Sequence, residues 1–317
     1  MHYRHCIDNR TKLWLRSIKR RKRGVVVGIE DLALLDALIW FGSGEKASQK
    51  MSVAQSTISR VASRVTREFG LELVKGQGEW LIVGGTHYLN QERLLHQSMR
   101  LDGRAPLRVE AQYYSSPVFC SKVSENEYQL GNFDFLDIQR PIELLRSGVL
   151  DAWIAGYPDL PPADDPELAC IHLTRIPLRL VVAKNHPLLA KGDEMTLEDV
   201  ADFPCISLRD GAFPESQRIL ESLGLWNTPT RINRYDQKKW LGQTADQVSV
   251  GYASVFSIEL YPHPMEFLPI DLGMDVGETL VVRREHEHHP RIQGLLATMK
   301  DSAVELAARY PGVRMLF

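Results

Sequence analysis

The residues whose types and spacing point to chemistry begin at position 55. Gln55, Ser56, Thr57, Ser59, Arg60, Ser63, Arg64 and Arg67 fall within thirteen positions, with no acid until Glu68. At helical spacing, Ile58, Val61, Ala62, Val65 and Phe69 form one apolar stripe, which leaves hydroxyls and guanidiniums on the opposite face. A solvated helix usually mixes Glu with Lys. An acid-free face with Arg about one turn apart suits a row of phosphates, which carboxylates would repel. Arg60, Arg64 and Arg67 are therefore the candidates for phosphates. Gln55, Ser56 and Thr57, at the amino-terminal end, are the candidates for base edges, since a Gln amide can pair bidentately with adenine. Lys75 and Gln77 sit in the Gly-rich turn that follows and add polar contacts.

A second group of polar residues lies where predicted strands end. Ser115-Ser116-Pro117 follows the apolar run at 107–111, and hydroxyls with open amides at a helix start suit a carboxylate. Ser207 and Arg209 follow another predicted strand. Arg209 either forms a bidentate pair with an acid or pairs with Asp210. Ser115, Ser116, Ser207 and Arg209 make a candidate site for a small organic anion, with Tyr113, Tyr114 and Phe119 as walls.

Other chemistry is weakly represented. His286-Glu287-His288-His289 has the composition of a metal site, but Pro290 follows and no partner cluster is evident, so it reads as a solvated connector and no metal site is expected. Cys6, Cys120, Cys170 and Cys205 stand too far apart for a zinc knuckle or a disulfide framework. Cys120 reads as a buried apolar thiol rather than a sensor. The sequence carries no Gly-x-Ser-x-Gly elbow, no Walker loop and no Gly-x-Gly-x-x-Gly after a strand. No enzyme activity and no cofactor are expected.

The elements that must position these residues follow from the apolar pattern. Leu32, Leu35, Leu38 and Ile39 predict a helix ended by Gly42-Ser43-Gly44, and Glu45 to Met51 predicts a short second one. Ser52-Val53-Ala54-Gln55 has the spacing of a capping box for a third helix, which runs to Phe69 with Gly70 at its end. Leu71 to Val74 and Glu79 to Val83 flank the Gly-rich turn as a hairpin. Three helices and a hairpin make a winged helix-turn-helix. Residues 86–101 predict one more helix, whose Leu94 and Leu95 are candidates for a dimer interface. From 105 onward, strands and helices alternate. Strands are expected at 133–137, 151–155, 178–183, 204–208, 230–235, 266–270 and 279–283, and helices at 140–148, 196–201, 214–223 and 290–308.

Composition bounds the reading. With 317 residues, 44% hydrophobic and 25% charged, the chain is an ordinary globular one of two or three units. Residues 1–100 hold 17 Lys and Arg against 9 Asp and Glu, while the rest of the chain is acidic, an asymmetry suited to a polyanion partner at the front end. No apolar run reaches a membrane span, and Gly24 to Ile29 is too short for a signal-peptide core, so a cytoplasmic protein without membrane contact is expected. The basic run Lys19 to Arg23 is a solvated tail or an arm along a DNA backbone.

At Gln55-Ser56-Thr57-Ile58-Ser59-Arg60 the chain resembles the LysR-type transcriptional regulators, whose recognition helix carries a Ser-Gln-Ser/Pro-Ala/Thr-Val-Ser-Arg-like signature. Ala54 replaces the usual first Ser, Phe69-Gly70 replaces Leu-Gly, and the wing is about two residues short and lacks the usual Arg pair. The resemblance continues through Pro141 to Ile154, Leu180 to Leu188 and Val248 to Val255. It implies an α/β chain: an amino-terminal winged helix-turn-helix and linker helix, then a two-lobed, periplasmic-binding-protein-like effector domain with its ligand between the lobes. The expected divisions are an arm at 1–27, a DNA-binding domain at 28–85, a linker and dimerisation helix at 86–104, and an effector-binding domain at 105–317. The region between Leu107 and Phe133 is shorter and more polar than the family pattern. The resemblance implies binding of double-stranded DNA and a small-molecule effector, as a homodimer or homotetramer. Two alternatives stay open: a regulator that ignores ligands, and a small-solute-binding protein with an appended domain.

Overall fold

The computed structural model describes residues 27–76, 78–232, 234–236, 246, 248–261 and 263–317. Nearly all of the expected basic arm, and Gln77, lie outside the described residues.

The amino-terminal unit consists of α1 (Ile29–Phe41), α2 (Gly44–Met51), α3 (Gln55–Glu68) and an antiparallel hairpin of β1 (Glu72–Gly76) and β2 (Glu79–Val83). Helix α1 is apolar on every side, and Leu32, Leu34, Leu35, Leu38, Ile39, Trp40 and Phe41 are all buried. Such a helix needs cover all round. Helices α2 and α3 provide one side, and the body of the protein provides the other. The expected capping box does not form. Ser52 ends α2 in a left-handed conformation (φ 52°), so its hydroxyl cannot turn back onto α3, whose N-cap is Ala54 with no side-chain bond. The capping hydroxyl of this region is Ser43, which accepts from the Lys46 amide. Gly70, at φ +67°, follows Phe69 and turns the chain out of α3 at no steric cost.

Helix α4 (His87–Leu101) runs along the body, and its buried residues are mostly polar: Arg93, His96, Gln97 and Arg100, beside Leu89 and Leu101. The first lobe of the body contains β3 (Leu107–Ala111), the four-residue α5 (Ser116–Phe119), β4 (Tyr128–Leu130), α6 (Gln139–Arg146) and β5 (Ala152–Tyr157). Strand β3 lies parallel between β4 and β5, as a βαβ connection requires. The sheet continues through the long β13 (Asp275–Arg283), antiparallel to β5. Around β13 gather β6 (Leu168–His172), β7 (Thr174–Pro177) and β14 (Arg314–Met315), and α9 (Pro290–Arg309) covers a face of the sheet.

The second lobe lies between the crossings near Leu178 and Asp275. It holds β8 (Arg179–Ala183), α7 (Leu197–Ala201), β9 (Ile206–Ser207), α8 (Pro214–Ser222), β10 (Thr228–Pro229), β11 (Gly251–Ala253) and β12 (Met265–Phe267). Strand β8 is central, antiparallel to β11 and β12. Each lobe keeps its own apolar cluster. A third cluster joins α1 to the first lobe through Ile142, Leu145, Val149 and Trp153.

The predicted helices match α6 to α9 closely. The predicted strand at 133–137 reduces to a single bridge from Phe135 to Arg234, so the strand expected at 230–235 is also absent as a strand among the described residues.

Candidate DNA-reading helix and interlobe cleft

Helix α3 presents the face expected of it. Ile58, Val61, Ala62 and Val65 are buried, while Gln55, Ser56, Ser59, Arg60 and Arg67 are exposed. Thr57 is half-buried. Arg64 bends back to Asp31 of α1 at 2.5 Å. Gly44 packs against Gln55: a Cβ there would lie 3.1 Å from the Gln55 side chain, so the start of α2 braces that side chain. On the hairpin, Lys75 is exposed, with its ammonium 5.8 Å from the centre of the Trp80 ring.

The opposite side of the unit is locked to the body. Asp36 accepts from Arg93 at 2.8 Å and from Arg108 at 3.1 Å, all three being buried. Trp40 donates its indole N–H to Glu110 at 2.6 Å. Lys46 reaches Asp134 at 2.6 Å, and Arg140 donates to the Trp80 carbonyl at 2.7 Å. Arg234 binds both carboxylate oxygens of Glu79 at 2.6 Å and also meets Asp134. Burial, together with the nearby Asp134, pushes the Glu110 carboxyl up to about 7, against the hydrogen bonds from Trp40 and the Ala111 amide. On α4, Arg100 and Gln97 both hold Asp151, which in turn accepts from the Arg108 amide. Leu94 is half-buried and packs towards Gly148 of the body. Leu95, at 57% exposure, and Tyr88, at 74%, face outward.

Between the lobes lies a cavity of about 150 Å³. Its walls are aromatic: Tyr113, Tyr157, Tyr235, Tyr252, Tyr261 and Trp226. Tyr113 and Tyr235 stack at 3.9 Å between centroids. Gly156 is needed here, since a side chain would collide with the Tyr114 hydroxyl. Two carboxyls lie in the wall. Glu278 accepts from the Ser115 hydroxyl at 3.2 Å and from Thr174. Asp159 caps α8, accepting from the Glu215 amide at 2.7 Å and from the Ser216 amide and hydroxyl. Burial raises both carboxyls above their ordinary range.

The four residues expected to hold an anion do not converge. Ser115 is buried and turned to Glu278, and Ser116 donates to the Tyr113 carbonyl. Ser207 does line the cavity. Arg209 lies outside it, in a groove against the hairpin, 3.8 Å from Asp137; Asp210 instead accepts from the Trp226 indole. Among the described residues, no Lys or Arg lines the cavity. Sequence reasoning missed Gln112, one residue past β3, which is 1% exposed and lines the cavity. Neither its amide oxygen nor its amide nitrogen has a hydrogen-bond partner among the described residues, and the same holds for the Ser207 hydroxyl. A lone Gln after a strand carries no motif, although its place beside Tyr113-Tyr114 at a strand end was a usable signal. Cys120 sits in the first-lobe core, where burial pushes its thiol up to about 12. Among the described residues, no group of His, Cys, Asp and Glu is placed to hold a metal, and no helix is long and apolar enough to cross a membrane.

A winged helix-turn-helix followed by two α/β lobes around a cleft defines a one-component regulator architecture. The LysR substrate binding domain family matches residues 133–304, more than half of the chain, and the protein belongs to the LysR-type transcriptional regulators. Full-length OxyR C199D from Pseudomonas aeruginosa is similar in fold: 18% identity, 87% of this chain and 97% of that one covered, TM-score 0.50. CbnR, a LysR family transcriptional regulator, is similar over 87% of this chain and 99% of its own, at 15% identity and TM-score 0.50. No curated protein sequence matches the chain. The matches are to transcription regulators, and no enzyme family is indicated.

Proposed function

We propose that this regulator binds duplex DNA sequence-specifically through α3 and adjusts that binding to a small molecule held between its lobes. The observation that carries the reading is the exposed, acid-free arginine face of α3 on a unit whose other side is already occupied by the body. Arg60, Arg64 and Arg67 hold phosphates; Gln55, Ser56, Thr57 and Ser59 approach base edges; Lys75 and Gln77 of the wing add backbone contacts. A single unit of this size makes few phosphate contacts, so two copies read half-sites about one helical turn apart. The outward residues Tyr88 and Leu95 of α4 suit that pairing. The reading places the protein with the genome in the cytoplasm.

Selection of genomic fragments by the purified protein, followed by gel shifts on the enriched site, tests the reading. A recovered sequence motif is expected. Replacing Arg60, Arg64 and Arg67 together with Ala should abolish the shift at ordinary salt. Undiminished binding by that triple variant would show that α3 is not the DNA-reading element.

A further inference from the structure

We infer that the interlobe cleft selects a small, flat, uncharged ring compound bearing an amide-like edge, a hydrogen-bond donor beside an acceptor, which pairs with the side chain of Gln112. The inference rests on the effector role of the cleft proposed above and assigns the ligand's chemical class.

Size comes first. A cavity of about 150 Å³ is the volume that accommodates one benzene-sized ring. Shape comes next. Aromatic side chains on several sides favour a flat ring, through offset or edge-to-face contact. Charge is decided by what the polar wall atoms already do. The carboxyls of Glu278 and Asp159 already accept from Ser115, Thr174, and the amides and hydroxyl at the start of α8, and burial favours their uncharged form, so they offer a cation little counter-charge. An anion would enter beside those same carboxyls and, among the described residues, meet no guanidinium or ammonium. Burying an unpaired charge is far more costly than burying a paired dipole.

Among the described residues, the buried side-chain polar atoms of the wall without a partner are Gln112 Oε1, Gln112 Nε2 and Ser207 Oγ. A primary amide offers an acceptor and two donors in one plane. Its complement is another amide-like edge. A buried polar atom left without a partner is rare in native proteins, and a site built to bond such an edge rejects analogues that lack it. Gln112 is held in place by its backbone, whose amide donates to the Ile154 carbonyl and whose carbonyl accepts from the Ser115 and Ser116 amides. The side chain therefore projects from a fixed base.

Four compounds of one size and shape separate the possibilities: benzamide, benzoate, benzylamine and toluene. Titration calorimetry on the full chain at neutral pH should show benzamide binding at least about tenfold more tightly than each of the others. Gln112→Leu should weaken benzamide about tenfold and leave toluene unchanged, the toluene signal also verifying that the cavity is still formed. Ser207→Ala should weaken benzamide to a smaller degree. Tighter binding of benzoate or benzylamine would overturn the assigned class while leaving the cleft as an effector site. Benzamide binding that Gln112→Leu does not weaken would overturn the pairing. If none of the four binds while DNA binding persists, the assigned class fails and Gln112 serves only ordered water, while the DNA-reading role of α3 stands.

Discussion

Around α1, Asp36, Trp40, Lys46 and Glu79 each reach a partner on the body. On α3, packed against α1 in the same unit, the Arg60 and Arg67 side chains have no hydrogen bond or ion pair among the described residues. Both regions carry charged groups, and those charges do different work. Taking these charges out of water is compensated by partners at 2.6–3.1 Å. The α3 guanidiniums stay hydrated and keep their donors for a partner that arrives later. Charge count alone does not separate these roles; pairing does.

The comparison breaks most visibly at Asp36. Asp36→Ala leaves Arg93 and Arg108 buried without their shared carboxylate, and the expected cost is about 3–5 kcal/mol. Urea denaturation measures it. A loss below about 1 kcal/mol would mean that the α1 face opens to water and is not locked.

A smaller effect is expected at Glu110. Its folded-state carboxyl titrates at about 7, above the ordinary 4.5. Below pH 4.5 the group is protonated whether the chain is folded or not, and it contributes no pH dependence. Between 4.5 and 7 the folded form retains a proton that the unfolded form releases, so this group lowers stability as pH rises, by about 1–3 kcal/mol in all. Glu110→Gln removes the titration. Its unfolding free energy should therefore change more favourably from pH 5 to pH 8 than that of the natural chain. Parallel curves would place the Glu110 titration below this window.

The smallest effects sharpen the α3 side. Arg60→Ala or Arg67→Ala should each flatten the slope of log affinity against log salt by about 1 and weaken all DNA sequences alike. Arg64→Ala should change the slope less, because its charge is already matched by Asp31. Equal effects for all three would show that the Arg64–Asp31 pair opens on DNA.

Much of this was legible in the chain. The α3 face was readable because its stripe of Ile58, Val61, Ala62 and Val65 repeats at the helical period against an acid-free remainder. Helices α6 to α9 were readable for the same reason. The docking of α1 was not read, although Leu34, Trp40 and Phe41 beside the Leu32–Leu38 stripe make that helix apolar all round, which demands cover on a second side. Strands of three residues, such as β4 and β11, are too short for an alternation to show. The cleft was half legible. Its place at strand ends follows from the family pattern, but its polarity depends on which way side chains turn in loops. Arg209 and Ser115 turn to Asp137 and Glu278, and no spacing rule announces that.

Arg234 and Tyr235 are adjacent in sequence and serve opposite neighbours. The Tyr235 ring is a wall of the cleft, stacked on Tyr113, while the Arg234 guanidinium grips Glu79 at the turn end of the hairpin and donates to the Trp40 carbonyl. One peptide joins the two contacts, so a shift of the backbone at Tyr235 reaches the Arg234 clasp directly. Thermodynamic reciprocity then runs in both directions. On the proposed function, a cleft ligand that loosened the clasp and DNA that drew the wing away from Arg234 would each change the affinity for the other by the same factor.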